Sequence, residues 1–453
     1  MEPLTRAEVL KTLACMGVEL PANTRLPDDT LEKRLRAALD AAQEKGRFPD
    51  PLDLQSLPAW PLLTPLGGAP PPGGEGRPLL DAVKRGNMQE ARETHLARLA
   101  GASPHRELYV DPFMDLRQTV MSMANVLDQG IDWCIVQDPA QEAHAINIRF
   151  LHVYELDPKT PAVLLLYRAF SRSDAPEGAR WYHHQAYANP RARAPGRSTP
   201  AGSVGITIKA TPLEQKVLLK LLGANARLLP PDFRAEAHRQ AHEARFRASV
   251  LLPVGPLGFD AVGRLNNIAG CAICGKRGGM RCAQCQSAAY CSPECQKLDW
   301  PAHKPVCRSL KGGRWTTVAF RTHAPGTEGM HTALINRYTN VSRASDILSS
   351  LAADPRAPPP PDVHGARPFL AKLQVGLAGP GRDTLVVYDR QRSFGHAYVA
   401  RADAPAAFAD LLAEMAGPRG GYGGVKMYRW VRRVGEWELA VCVDRSPDME
   451  VKW

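Results

Sequence analysis

The sequence has few aromatic residues and no long apolar run. Phe, Trp and Tyr make up 7% of the 453 residues. The best apolar stretch, Pro161 to Tyr167, is far shorter than the roughly 18 residues that a membrane-spanning helix needs. The first residues are not followed by the apolar segment that a secretory signal peptide requires. We therefore expect an intracellular protein, cytoplasmic or nuclear, that has no membrane partner.

Blocks of like charge are also missing. The formal net charge is +11 and the sequence pI is about 9.2. The Arg and Lys residues are scattered, and the runs of at least about five like charges that mark basic tails do not occur. A scattered excess of positive charge permits weak attraction to nucleic acid but does not indicate a binding site. Direct DNA binding is therefore disfavoured.

Proline and glycine interrupt the hydrophobic patterning and suggest several modules. The chain contains 40 Pro and 37 Gly residues, and stretches dominated by them cannot pack a core. The patterns between them predict an α+β multidomain protein with a small finger between α+β regions. The predicted regions are a helical hairpin at 1–50, a Pro/Gly-rich linker at 51–78, an α+β domain at 79–250, a cysteine-rich finger at 271–307, a Pro-rich linker at 354–365 and a small α+β domain at 366–453.

The amino-terminal hairpin is predicted from capping signals. Thr5 and Glu8 have the spacing of a capping box before the first apolar face, and a second helix is predicted to begin at Asp29. An extended stretch, Val18 to Pro27, separates the two helices. This order is faintly similar to a SAP-type DNA-binding hairpin, so a DNA-associated regulator is kept as an alternative.

Apolar runs in the central region, such as Trp133 to Gln137, predict strands, and helical patterns follow them. Helices are predicted at Leu213 to Leu222 and at Pro231 to Ala248. His238 and His242 would lie on one face of the second helix. Because no H-E-x-x-H motif or accompanying carboxylate occurs, these residues are interpreted as surface or packing histidines.

Seven of the ten cysteines lie between Cys271 and Cys307, together with His303. Their order is C-x2-C-x7-C-x2-C-x5-C-x3-C-x7-H-x3-C. Thiolates and imidazoles are zinc donors, and a structural zinc ion takes four of them. The candidate metal ligands are Cys271, Cys274, Cys282, Cys285, Cys291, Cys295, His303 and Cys307. They suffice for two zinc ions per chain, and spacing alone leaves sequential and interleaved pairing open.

The string from Tyr290 to Cys307, YCSPECQKLDWPAHKPVC, closely resembles the second half of a MYND-type zinc finger, and Cys271 to Cys285 is similar to its first half. The resemblance implies a cross-braced arrangement and a groove for short, often proline-containing peptides. The residues expected nearest that groove are Trp300 and Gln296. The implied ligand sets are Cys271, Cys274, Cys291 and Cys295 for one zinc ion, and Cys282, Cys285, His303 and Cys307 for the other.

Local signals also predict how the second half of the finger folds. Ser292 can cap a helix that has Pro293 at its first position. Pro305 lies between His303 and Cys307, and a proline inside a helix removes a hydrogen bond. We therefore expect one or two tight turns rather than a long helix.

A proline-containing segment elsewhere in the chain matches a ligand pattern. Pro61 to Pro65 reads P-x-L-x-P and resembles ligands bound by some MYND fingers. In a chain this rich in Pro and Leu, such a string also arises by accident.

Two closed zinc sites leave no position for water or substrate, so both ions are predicted to be structural. We predict no catalytic residue and no organic cofactor. The expected function is that of a zinc-binding interaction or adaptor protein that is not an enzyme and whose partners are other proteins. The alternative is a MYND-containing SET-type lysine methyltransferase, against which we find no Asn-His-Ser/Cys element on either side of the finger.

Overall fold

The computed structural model contains both helices and sheets, which confirms the predicted α+β class. It describes residues 3–21, 23–66, 76–101, 108–138, 140, 144–188, 207–266, 270–325, 337–341, 358–376, 383–390, 393, 397–447 and 451. The chain divides into two compact units. The first is Met1–Val18, Leu31–Leu257 and Asn340–Ser342, and the second is Glu19–Thr30, Gly258–Thr339 and Arg343–Trp453. The boundaries of the six predicted regions stay a prediction. Parts of the two predicted linkers lie outside the described residues, namely 67–75 and 354–357.

The first unit contains a five-stranded sheet in the order β4-β1-β2-β3-β5. All neighbouring strands are antiparallel except β1 and β4, which are parallel. The strands are β1 (Trp133–Gln137), β2 (His144–Asp157), β3 (Thr160–Ser171), β4 (Thr207–Lys209) and β5 (Arg247–Leu251). The helices are α1 (Arg6–Cys15), α2 (Asp28–Ala42, with Leu31 onward in this unit), α3 (Leu79–Val83), α4 (Met88–Leu99), α5 (Pro112–Asp128), α6 (Ala175–Ala188) and α7 (Pro212–Asn225).

Local capping signals fix several helix starts in the first unit. The predicted capping box is present, because Thr5 Oγ1 accepts from the Glu8 N–H and Glu8 Oε2 accepts from the Thr5 N–H. A second capping box, between Thr211 and Glu214, begins α7. Side chains on β3 and β5, among them Leu164 and Val250, are buried in the core.

The predicted helix at Pro231 to Ala248 is wrong. This segment contains a short 3-10 turn, Ala235–His238, and then continues into β5. His242 has a φ of +69°, which a right-handed helix excludes. The buried Glu243 accepts hydrogen bonds from Arg149 and Trp181, and these tertiary contacts override the local helical periodicity.

Part of the predicted first linker is packed, contrary to the expectation that a Pro/Gly-rich stretch has no core. Trp60 is 5% exposed, and its N–H donates to the Val153 carbonyl over 2.8 Å. The Pro61 carbonyl accepts from the Arg77 N–H over 2.8 Å. Within the P-x-L-x-P string, Leu62 is buried and Leu63 is exposed. The apolar side chains of this stretch therefore anchor it to the first unit.

The second unit contains a six-stranded antiparallel sheet in the order β11-β10-β9-β12-β13-β8. Its strands are β8 (Trp315–Ala319), β9 (Phe369–Val375), β10 (Thr384–Asp389), β11 (Ala397–Ala400), β12 (Lys426–Gly435) and β13 (Glu438–Cys442). The other elements are α8 (Phe259–Asn266), the short hairpin of β6 (Met280–Arg281) and β7 (Ala289–Tyr290), α9 (Pro293–Ser309) and α10 (Pro405–Ala416). The apolar face of α10, including Phe408 and Leu411, is buried in the same core cluster as the sheet.

No helix among the described residues has the length and apolar composition needed to cross a bilayer. The cellular compartment stays a prediction.

Candidate metal centre

The first Cys-x2-Cys loop of the finger, Cys271 to Cys274, is closed by backbone hydrogen bonds. The Gly275 N–H donates to the Cys271 carbonyl over 2.9 Å, and the Cys271 N–H donates to the Lys276 carbonyl over 3.0 Å. Gly275 has a φ of +72°, a conformation that glycine adopts without steric cost. The turn therefore brings the two sulfur atoms toward one point.

The second loop, Cys282 to Cys285, is built in the same way. The Gln286 N–H donates to the Cys282 carbonyl over 2.9 Å, and Gln286 has a φ of +59°. The second loop lies between β6 and β7, which form a hairpin that pairs Met280 with Tyr290. This hairpin positions the second pair of cysteines against the part of the finger that follows.

Of the remaining ligands, Cys291 lies just before α9 and the other three lie on it. Ser292 caps this helix as predicted, because its Oγ accepts from the Cys295 N–H over 3.4 Å. The expected tight turns are wrong, since α9 is one helix that contains both Pro301 and Pro305. Each proline removes one backbone hydrogen bond. We attribute the continuation of the helix to Cys295, His303 and Cys307, which are all buried on it and take part in the candidate sites.

The structure brings the eight candidate ligands together as two groups. Site A is Cys271, Cys274, Cys291 and Cys295, and site B is Cys282, Cys285, His303 and Cys307; the ligand atoms within each group all lie within 4.8 Å of one another. The interleaved pairing that the resemblance implied is therefore confirmed, and the sequential alternative is not adopted.

The distances between ligand atoms suit zinc. Sulfur atoms about 2.3 Å from a tetrahedral zinc ion lie about 3.8 Å apart. In site A, the Sγ of Cys291 is 3.4 Å from that of Cys274 and 3.7 Å from that of Cys295. In site B, the Sγ atoms of Cys282 and Cys307 are 3.8 Å apart. Both groups therefore fit zinc sites with four protein ligands each.

The backbone around the two sites favours thiolate at one cysteine in each. Burial alone would raise the pKa of Cys271, but N–H groups of Cys274, Cys291 and Ile273 face its sulfur and lower that pKa to about 6. Cys282 responds in the same way, because N–H groups of its loop and the His303 side chain lower its pKa to about 6 against the effect of burial. The deprotonated form is the one that binds a metal ion.

Other ligands show the opposite shift because they face neighbouring thiols. A hydrogen bond with Cys274, together with burial, raises the pKa of Cys291 to about 12. Burial and the nearby Cys285 raise the pKa of Cys307 to about 12. Crowded thiols thus resist full ionisation on their own, whereas a bound zinc ion deprotonates coordinating thiols outright.

The two sites differ in exposure and in what lies next to them. Cys274 and Cys291 of site A are half-buried, whereas all four ligands of site B are buried. Beyond the last ligand of site B, Ser309 Oγ accepts from Trp430 Nε1 over 3.0 Å. Trp430 belongs to β12, and sequence reasoning missed its role because nothing in the local pattern connects it with the finger.

The predicted groove residues lie on α9. Trp300 is 37% exposed, and its ring centroid is 6.1 Å from that of His303. Gln296 is half-buried and precedes Trp300 by one helical turn. The two side chains therefore lie next to each other on the helix, and Trp300 is available to solvent; their place beside a peptide groove stays a prediction.

Two interleaved sets of four Cys and His ligands on a hairpin and a helix define a cross-braced two-zinc finger. The sequence model of the MYND finger family matches the same residues, 271–307. Protein interaction is the usual role of MYND fingers. The match covers the finger alone, and no solved structure matches the chain.

Known proteins are similar to the chain over short stretches. The Dauer abnormal formation protein 25 of Caenorhabditis elegans is 60% identical over 42 residues, which are 9% of the chain and 11% of that protein. Human histone-lysine N-methyltransferase SMYD3 is 54% identical over 39 residues, 9% of each chain. Rat N-lysine methyltransferase SMYD2 is 36% identical over 75 residues, 16% of the chain and 17% of that protein. The chain thus covers only a small part of each relative.

These relatives correct one expectation. We expected from the closed zinc sites that the chain is not an enzyme. Two of the similar proteins are lysine methyltransferases, so a protein with this finger can be an enzyme and the exclusion is wrong. The closed sites argue against catalysis by zinc, and they say nothing about chemistry outside residues 271–307.

Proposed function

We propose that the eight ligands hold two structural zinc ions and that the finger binds short peptide segments of partner proteins, proline-containing ones among them, in an adaptor role. The observation that carries the proposal is the closure of both sites. Each has four protein ligands within reach of one another, so the ions stabilise a surface rather than activate a substrate.

The surface of the finger has the composition of a peptide-binding site. Met280 and Trp300 are exposed apolar side chains, 76% and 37% accessible. Aromatic side chains that are partly exposed commonly anchor protein interfaces. Eight cationic and two anionic side chains lie between Cys271 and Arg314, and seven thiolates with two zinc ions reduce that excess without cancelling it. A peptide with apolar anchors and neutral or acidic flanks fits this surface.

A binding titration with the full chain tests the peptide proposal. The probe is a fluorescein-labelled peptide with the sequence of Pro58 to Leu66, which contains P-x-L-x-P. We expect Trp300→Ala to weaken binding about tenfold, because truncation of an aromatic anchor typically costs more than about 1 kcal/mol. Glu294→Ala is the matched control, since Glu294 is exposed on α9 and lies on a different face from Trp300. Equal binding by wild type and Trp300→Ala, or no binding by either, contradicts the proposal.

Elemental analysis tests the ligand assignment separately. Wild-type protein should contain two zinc ions per chain because the eight ligands form two groups. Cys282→Ala and His303→Ala should each lose the same ion, so that the double variant retains one, whereas Cys271→Ala combined with Cys282→Ala should lose both. Under sequential pairing, Cys282→Ala combined with His303→Ala would lose both ions, and Cys271→Ala combined with Cys282→Ala would retain one.

Lysine methyltransferase activity is the second candidate function. It is favoured by the similarity of the finger to those of SMYD3 and SMYD2. The sequence outside the finger lacks the Asn-His-Ser/Cys element expected of a SET domain. Binding of labelled S-adenosylmethionine to the full chain decides between the two: saturable binding supports the enzyme, and its absence leaves the peptide-binding proposal.

A further inference from the structure

A segment far from the finger in sequence is packed on it. The connector, residues Glu19–Thr30, follows α1 and includes the start of α2, and it belongs to the second unit. The Arg25 N–H donates to the Ile273 carbonyl over 2.9 Å, and the Thr24 hydroxyl donates to the same carbonyl over 3.2 Å. Ile273 lies between the site A ligands Cys271 and Cys274. The connector thus holds the backbone of the first ligand loop.

An apolar contact reinforces these hydrogen bonds. Leu26 is 3% exposed. A Cβ atom at position 275 would lie 2.8 Å from Leu26 Cδ2, so the leucine occupies the space that the glycine leaves open. Gly275 closes the first loop through its bond to the Cys271 carbonyl. Leu26 therefore packs directly on the turn that shapes one half of site A.

The connector also reaches the other half of site A. Asn23 Nδ2 donates to the Leu298 carbonyl over 2.7 Å. Leu298 lies on α9, less than one turn after the ligand Cys295. The stretch from Asn23 to Leu26 therefore contacts both elements that supply site A, the first loop and the beginning of α9.

We propose that Asn23, Thr24 and Leu26 are positioning residues for site A and form an intramolecular clamp that slows release of its metal ion. Release requires the first loop and α9 to separate, and the clamp joins these two elements from outside the ligand set. Contacts around a metal site typically change metal affinity by about 10-fold to 100-fold when they are removed. The proposal concerns the metal-loaded finger and does not depend on which partner it binds.

Site B is contacted by a different residue that is not one of its ligands, and a variant of that residue is the matched control. Trp430 of β12 donates to Ser309, two residues after the ligand Cys307. Trp430 and Leu310 are in the same buried cluster as the finger cysteines. Replacing Trp430 should therefore loosen site B, whereas replacing a clamp residue should loosen site A.

Cobalt substitution of the full chain separates the two sites by spectroscopy. Site A has four sulfur ligands and site B has three sulfurs and one nitrogen, so their cobalt(II) absorption bands differ. On transfer to excess chelator, we expect Leu26→Ala to accelerate loss of the four-sulfur signal about tenfold and to leave the three-sulfur signal unchanged. Trp430→Phe should have the reverse selectivity.

Milder variants keep the test valid if Leu26→Ala does not fold. Thr24→Val removes one hydroxyl and nearly keeps the shape of the side chain, and Asn23→Ala changes an exposed residue. Each should accelerate the loss of cobalt from site A by a smaller factor than Leu26→Ala does. Hydrogen exchange in the loop Cys271 to Cys274 should rise in the same variants while cobalt is bound. Release rates equal to wild type in all clamp variants, or equal acceleration at both sites, would overturn the clamp.

Discussion

The two units of this protein are stabilised by different means. In the first unit, a five-stranded sheet and its helices bury apolar side chains and the ion pair of Arg149 with Glu243. In the second unit, the finger has two candidate zinc sites, and its buried cluster includes Trp430 from the sheet. Metal should therefore be needed for the fold of the finger and should make no direct contribution to the first unit.

The two units also differ in how far apart in the sequence their stabilising residues lie. The finger is specified by ligands within one short stretch, whereas the ion pair in the first unit joins residues 94 positions apart. A metal ion enforces local geometry through the bonds it makes. A buried ion pair stabilises only if the rest of the fold already places both partners.

Removal of metal should produce the largest effect. Apparent binding energies of structural zinc in small fingers are about 10 to 16 kcal/mol per ion, more than a core of this size could replace. With a strong chelator, hydrogen exchange should rise throughout 271–307 and around Trp430, which shares the cluster of the finger. The strands β2 and β3 should keep their protection, because both groups of metal-binding side chains found among the described residues lie in the finger, in the second unit.

The control for this experiment is re-addition of zinc, which should restore protection in the finger. A rise in exchange of equal size in both units would show that zinc stabilises the whole chain, and it would contradict the proposal that the two units are stabilised by different means. Unchanged exchange within 271–307 would show that the finger folds without metal.

The candidate site could be predicted because its signal is local. Spacing alone indicated eight ligands and two ions, and the resemblance to a known finger supplied the interleaved pairing. The capping signals of Thr5 and Ser292 were also correct, since a cap depends on residues within one turn of the helix start. Strands such as β1, Trp133–Gln137, followed from continuous apolar patterning.

The structural features that could not be predicted depend on contacts between residues far apart in the sequence, which a local pattern does not contain. Pro305 predicted a break in α9, but buried ligand residues on both sides of it keep the helix continuous. The helical periodicity at Pro231 to Ala248 failed because Glu243 is held by residues from β2 and α6. The packing of Leu26 on Gly275 joins positions about 250 residues apart, and neither residue carries a signal for it.

Loss of the buried ion pair should be the next largest effect, and it should be confined to the first unit. Glu243 is fully buried and accepts from Arg149, from Trp181 Nε1 over 3.0 Å and from the Gln240 N–H over 2.7 Å. Glu243→Ala should lower the free energy of unfolding of this unit by about 3 to 5 kcal/mol, since Arg149 is left buried without its partner. Urea unfolding followed by hydrogen exchange in β2 measures the change.

The control variant for that prediction is Glu236→Ala. Its only described ion pair is with Arg239, and the exposed Glu236 side chain is 70% accessible, so the loss should be far smaller than that of Glu243→Ala. If Glu243→Ala costs no more than Glu236→Ala, the buried pair does not stabilise the first unit. A change in zinc content on Glu243→Ala would show that the two units are not independent.

The smallest expected effect is a pH dependence that belongs to the first unit. Burial raises the pKa of Glu214 to about 7, although its carboxylate accepts from the Thr119 hydroxyl over 2.5 Å. The unfolded chain has a Glu pKa of about 4.3, so the folded state binds this proton more tightly. Its contribution to stability is therefore complete below about pH 4 and is lost as the pH rises through about 7. Zinc binding depends on pH in the opposite direction and strengthens as the pH rises, because it releases protons from its ligands.

Glu214→Gln should flatten the pH profile of unfolding measured at β2 and β3 while zinc content stays at the wild-type level. Profiles of equal slope in wild type and Glu214→Gln would show that the pKa of this carboxyl group is the same in the folded and unfolded protein.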